Sequence, residues 1–170
     1  MNLFHLSDDP GIARFEPRPS AYTERNVVWA ISDERVANYL LPRECPRVCF
    51  RAGARSLGAD VARLLGEASA VIAIEQAWEQ RLRQGRLHRY AMPPASFVLH
   101  DETAGYFIAH EPVVPLGLTT IEDLPGAIAR TGATLSVLPS LWSLHDAVLQ
   151  SSLDFSMIRM RNAMPRPLPR

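Results

Sequence analysis

The chain has 170 residues, 18 of them basic and 18 acidic, and this balance argues against a dedicated nucleic-acid partner, which would need a marked basic excess. Hydrophobic residues make up 47% and charged residues 21%, the composition of a folded chain and not of a disordered one. Every basic residue is arginine, which excludes lysine Schiff-base and P-loop chemistry and, with abundant Ala, Leu and Pro, suggests a GC-rich bacterial genome.

The opening "NLFHLS" reads as a strand, ended by the turn signal Asp-Asp-Pro-Gly. It contains no basic segment followed by a long apolar one, and no apolar run in the chain nears the roughly 18 residues of a membrane span. A cytoplasmic protein without membrane contact is therefore expected. "GIARFEPRPSAYTER" is too proline-rich for regular structure and is expected as a loop. "NVVWAI" reads as a second strand, and Ser32 or Asp33 as the N-cap of a helix "DERVANYLL" that stops before Pro42. On that helix Val36, Tyr39 and Leu40 share one face.

The next elements are a strand "RVCFRA", a helix "SLGADVARLLGEA", the most apolar strand "SAVIAIEQ" and a short helix "AWEQRLRQG". "RLHRYAM", "SFVLHD", "GYFIAHE" and "VVPLGL" form a run of four strands. "TIEDLPGAIARTG" reads as a helix, "ATLSVLP" as the last strand and "SLWSLHDAVLQSSL" as the closing helix. The pattern predicts one α+β domain over residues 1–160, with a mixed, mainly antiparallel sheet and flanking helices, and a frayed tail over 161–170. Cys45 and Cys49 have no companion at zinc spacing, so two reduced cysteines and no metal are expected.

Three stretches carry groups capable of chemistry. In "FHLS", His5 and Ser7 share a strand face and together could hold a polyol such as ribose. In "VVWAISDERVANY", Trp29 and Tyr39 flank a strand-to-helix turn and could sandwich a flat heterocycle, or simply pack strand against helix. In "AHEPVVPL", Glu111 precedes an apolar strand, where a carboxylate belongs in solvent or at a pocket. Arg14, Arg18 and Arg43 in the flanking loops could meet a diphosphate. Ser140, His145 and Asp146 lie within one predicted helix and make no hydrolase arrangement.

His-x-Ser on the first strand, an aromatic-Ala strand running into Ala-Asn-Tyr, and a late glutamate together resemble the pattern of the ADP-ribosyltransferases, in particular of the poly(ADP-ribose) polymerases. The resemblance covers residues 4–7, 27–39 and Glu111. It implies a sheet split in two halves and NAD as substrate, with no metal. It also implies that His5 and Ser7 bind the ribose and carboxamide, that Tyr39 stacks on nicotinamide and that Glu111 is catalytic. Trp29 stands where that family has a second tyrosine, and Leu6 where it has glycine. Cleaving the nicotinamide–ribose bond expels a neutral leaving group, so one carboxylate stabilising the oxocarbenium-like transition state suffices. The same architecture is used by RNA 2'-phosphotransferases, and a non-enzymatic nucleotide-binding module is the remaining alternative. Over nearly its whole length the chain also resembles an uncharacterised bacterial family of short proteins sharing the opening "LFHxSxDPGIxRFxPR" and the ending "IRxRNA". The partner all these readings imply is a small-molecule nucleotide, and the oligomeric state is left open.

Overall fold

The structure, a computed structural model, describes residues 1–167. Ten strands form two sheets, as expected for an α+β chain with mainly antiparallel pairing. The larger sheet runs β6 (Val98–Asp101), β7 (Tyr106–Ala109), β2 (Val28–Ser32), β1 (Leu3–Ser7), β5 (Leu87–Met92), β8 (Gly117–Ile121), each strand antiparallel to its neighbours. The smaller runs β10 (Asp154–Ile158), β3 (Arg47–Arg51), β4 (Ala70–Glu75), β9 (Ala133–Leu138), parallel only between β4 and β9.

Side-chain alternation divides the larger sheet into two faces. Leu3, Val28, Ala30, Tyr90 and Met92 form a core on the outer face, closed by Ile12 and Phe15 from the proline-rich loop and by Phe97 and Val113. Leu6, Leu87 and Ile121 point the other way, into a second core shared with Cys49, Ile72 and Ile74 of the smaller sheet. The far face of the smaller sheet carries Val48, Phe50, Val71 and Ala73. It is covered by α1 (Gly58–Asp60) with the π turn Val61–Leu65, and by α4 (Trp142–Leu149). Leu82 of α2 (Glu79–Gln84) and Leu124 and Ile128 of α3 (Leu124–Arg130) fill the inter-sheet core.

Four local expectations are corrected. "VVPLGL" is not a strand. Pro112 and Pro115 remove two backbone donors, so only Val113 makes a bridge, to Phe15, and pairing begins at Gly117. Thr120 and Ile121 belong to that strand, and the helix following it starts at Leu124, with Asp123 as its N-cap accepting from the Gly126 amide at 2.9 Å. The sequence reading lacks β10. The helix ends at Leu149; after it the Ser152 amide and hydroxyl both donate to Asp60, and Asp154–Ile158 pairs along β3. Finally, the tail is held at its start: the Met164 amide donates to buried Glu75 at 3.0 Å and the Trp142 indole donates to the Met164 carbonyl at 2.7 Å. The end of the predicted frayed tail, 168–170, lies outside the described residues.

Ile74 is fully buried between the sheets. Ile74→Ala is expected to cost about 2–5 kcal/mol, read as a lowered urea midpoint at unchanged slope.

Candidate functional site

The predicted site residues are split between the two faces of the larger sheet. His5 sits on the outer face, because β1 alternates and Leu3 on the same parity is buried in the outer core. Its ring packs against Phe15, 4.7 Å between centroids, and its Nδ1 lies 2.8 Å from the Trp29 carbonyl. Ser7 shares that face as expected, but its hydroxyl accepts from the Asp9 amide at 3.1 Å and so helps build the Asp-Asp-Pro-Gly turn. The same turn is held by Tyr90, whose hydroxyl donates to the Asp9 carbonyl at 2.7 Å and accepts from the Ile12 amide.

Trp29 has the opposite parity, so only its backbone reaches His5 while its indole leaves on the inner face. Tyr39, at the end of the 3-10 helix Asp33–Tyr39, is on that inner side too. The expected aromatic sandwich does not form, because Tyr106 stands between its two members. Tyr106 meets Trp29 edge-on at 5.7 Å and Tyr39 at 6.1 Å, and its hydroxyl is 2.5 Å from that of Tyr39. His100 closes the other side of Trp29 at 5.2 Å. Arg47 stacks on Tyr39, 5.3 Å from the ring centre. Burial, the neighbouring Tyr106 and their shared hydrogen bond push the Tyr39 phenol far above its ordinary value. Together these aromatics pack β2 against the 3-10 helix.

Glu111 is exposed in the bend after β7, and no hydrogen bond or ion pair holds it among the described residues. Val28 pairs with Ala109, so Glu111 lies beyond the start of β2, roughly 13 Å along the strand from the level of His5. The structure does not bring His5, Tyr39 and Glu111 together.

It does bring two arginines toward His5. Burial lowers the pKa of its ring, the bond to the Trp29 carbonyl opposes this, and the Arg43 and Arg18 guanidinium charges lower it further. Arg18 enters from the proline-rich loop, where its backbone pairs with Val27 at 3.0 Å in both directions. Arg43 follows the 3-10 helix in a segment fixed on both sides. Glu44 is clamped by Arg161 at 3.2 Å and by the Asn162 amide, which donates to its backbone carbonyl at 2.8 Å. Arg47 is buried and donates to the carbonyls of Asn38 and Cys45 at 3.0 and 2.9 Å, wrapping residues 38–47 around its guanidinium. Arg18 and Arg43 are exposed and, among the described residues, have no carboxylate partner, whereas Arg14 pairs with Glu16 at 2.9 Å. Cys45 and Cys49 are free and buried, and burial pushes both thiols up to about 12.

The "IRMRNA" ending is thus tied to the loop that carries Arg43, and the opening "LFHLS" supplies His5; these are the two ends of the long-range resemblance. The chain belongs to the family of unknown function DUF6886. The family model matches residues 4–163. No curated protein and no solved structure is matched by the chain. The DUF6886 match runs from Phe4, within β1, to Ala163, so His5, Arg18 and Arg43 all lie within it.

Sequence reasoning missed Tyr106, Arg47, Tyr90 and the clamp on Glu44. The one signal for Arg47 was its place at the head of an apolar strand, "RVCF", where a charge must be either exposed or fully hydrogen-bonded.

A histidine whose folded pKa is depressed contributes stability that is present above the unfolded value of 6.5 and is lost as pH falls below it. Each unit of separation is worth about 1.4 kcal/mol. The urea midpoint is therefore expected to fall from about pH 8 to about pH 5, and to fall less in His5→Gln; an equal fall in both would remove His5 from this account.

Proposed function

We propose that the protein binds an anionic small molecule of the nucleotide class, its phosphates held by Arg18 and Arg43 beside His5. The observation that carries this reading is the pair of exposed guanidiniums, 25 positions apart in sequence, whose charges both lower the pKa of one half-buried imidazole. Arginine forks meet phosphate bidentately, and two of them without carboxylate partners form a local positive field in a chain of zero net charge. A phosphate docked there offsets the arginine charges felt by the ring, and so raises the His5 pKa.

ADP-ribose is the discriminating probe. Its addition is expected to move the His5 ring titration upward by NMR and to give saturable binding by calorimetry. Arg18→Ala combined with Arg43→Ala is expected to weaken binding at least tenfold, about 1.4 kcal/mol. No movement of the His5 titration at millimolar ADP-ribose removes the proposal.

ADP-ribosyl transfer from NAD is the second reading. It is favoured by the chain order of a His-x-Ser strand, an aromatic-Ala strand beside it and an Ala-Asn-Tyr helix directly after. Tyr106 closes the space for a nicotinamide sandwich, and Glu111 stands away from His5, so this reading requires the β7 end to approach the ribose. On it, Glu111→Gln abolishes nicotinamide release from NAD while ADP-ribose binding is retained. If the unmutated protein releases no nicotinamide, the binding reading stands alone.

A further inference from the structure

A separate cleft opens between the smaller sheet and the 3-10 helix Asp33–Tyr39, on the side of the larger sheet away from His5. It encloses about 270 Å³. Its floor is one cross-strand row of the smaller sheet: Asp154 on β10 pairs with Arg51 on β3, which pairs with Ala70 on β4, which pairs with Ala133 on β9. In the next row on the same face the corresponding places are taken by Ser156, Cys49, Ile72 and Leu135. Two large apolar side chains in that row continue the inter-sheet core, while two alanines in the first leave it unfilled. Ala37 of the 3-10 helix is the matching small residue on the roof.

The rim carries both signs of charge. Arg51 donates one bond, to the Glu34 carbonyl at 3.0 Å, and Arg35 donates to the Thr103 carbonyl at 3.0 Å and pairs with Glu34 at 3.5 Å. A guanidinium has five N–H donors, so both retain free ones. Asp154, Asp33 and Glu34 line the same opening, with Asp33 also accepting from the Asn2 side chain at 3.2 Å. Ser69, Thr131 and Ser156 add hydroxyls. Three carboxylates against two guanidiniums oppose a phosphate dianion, and the two guanidiniums oppose a bare cation. A ligand with one carboxylate and one ammonium satisfies both. The volume lies just below the roughly 300–1,000 Å³ of sites for drug-sized ligands, so the occupant is small.

We propose that this cleft binds a free amino acid or similarly small zwitterion, its carboxylate on Arg51 and Arg35 and its ammonium toward Asp154. The amides of Cys49, Ala70 and Ala133 report on it. Titration with a panel of free L-amino acids is expected to give saturable NMR shifts at those amides for at least one member. The Nα-acetyl and the carboxamide derivative of that member, each lacking one charge, are expected to bind at least tenfold more weakly. Arg51→Gln is expected to weaken binding at least tenfold, and Ala133→Leu, which fills the floor, to abolish it. If Ala133→Leu does not fold, Arg51→Gln decides alone. The proposal is overturned if no free amino acid shifts those amides at millimolar concentration, if the singly charged derivatives bind equally, or if Arg51→Gln binds as the unmutated protein does.

Discussion

The guanidinium of Arg47 is the constraint around which the candidate site is arranged. A charge this deeply buried must be fully hydrogen-bonded, and here its partners are backbone carbonyls of Asn38 and Cys45 with the Tyr39 ring against it. The segment 38–47 therefore cannot take another path without stranding a charge. Because that segment joins the 3-10 helix to β3, one side chain ties the larger sheet, through Tyr39 and Tyr106, to the smaller sheet. Arg43 projects from the same segment, so its position is set by a bond network in which it takes no part.

The larger sheet separates two environments. On its outer face His5 lies under Phe15, with arginines at the margin; on its inner face lie an aromatic cluster and the inter-sheet core. Strand alternation makes these environments mutually exclusive for neighbouring residues. His5 and Trp29 sit on adjoining strands and share a hydrogen bond, yet their side chains serve different compartments. A motif that only resembles a known pattern can in this way have its members distributed across the two faces of a sheet.

What was legible in the sequence followed local periodicity. His5 and Ser7 sharing a face, the break into a helix at Ser32, and most strands in the middle of the chain required only period two, period 3.6 and turn residues. What was not legible depended on partners distant in sequence. Tyr106 is 67 residues from Tyr39, and nothing in "GYFIA" names β2 as its neighbour. β10 alternates as "DFSMI", but it directly follows an apolar helix whose periodicity hid the change. The apolar "VVPLGL" misled in the opposite sense, because hydrophobicity marks burial, while two prolines decide whether a ladder can form.

The order of the strands has a bearing on how the chain reaches this state. All six strands of the larger sheet precede residue 122, whereas β9 and β10, which complete the smaller sheet, span residues 133–158. β10 must then find β3 roughly a hundred positions back, a non-local closure of the kind that slows folding. Until it does, the inner face of the larger sheet has only part of its cover. During synthesis from the N-terminus the apolar surface around Leu6, Leu87 and Ile121 is the region in need of protection from association with other chains. The late clamp of Arg161 and Asn162 on Glu44 is then a closing step, and it fixes the Arg43 loop only once both sheets are in place.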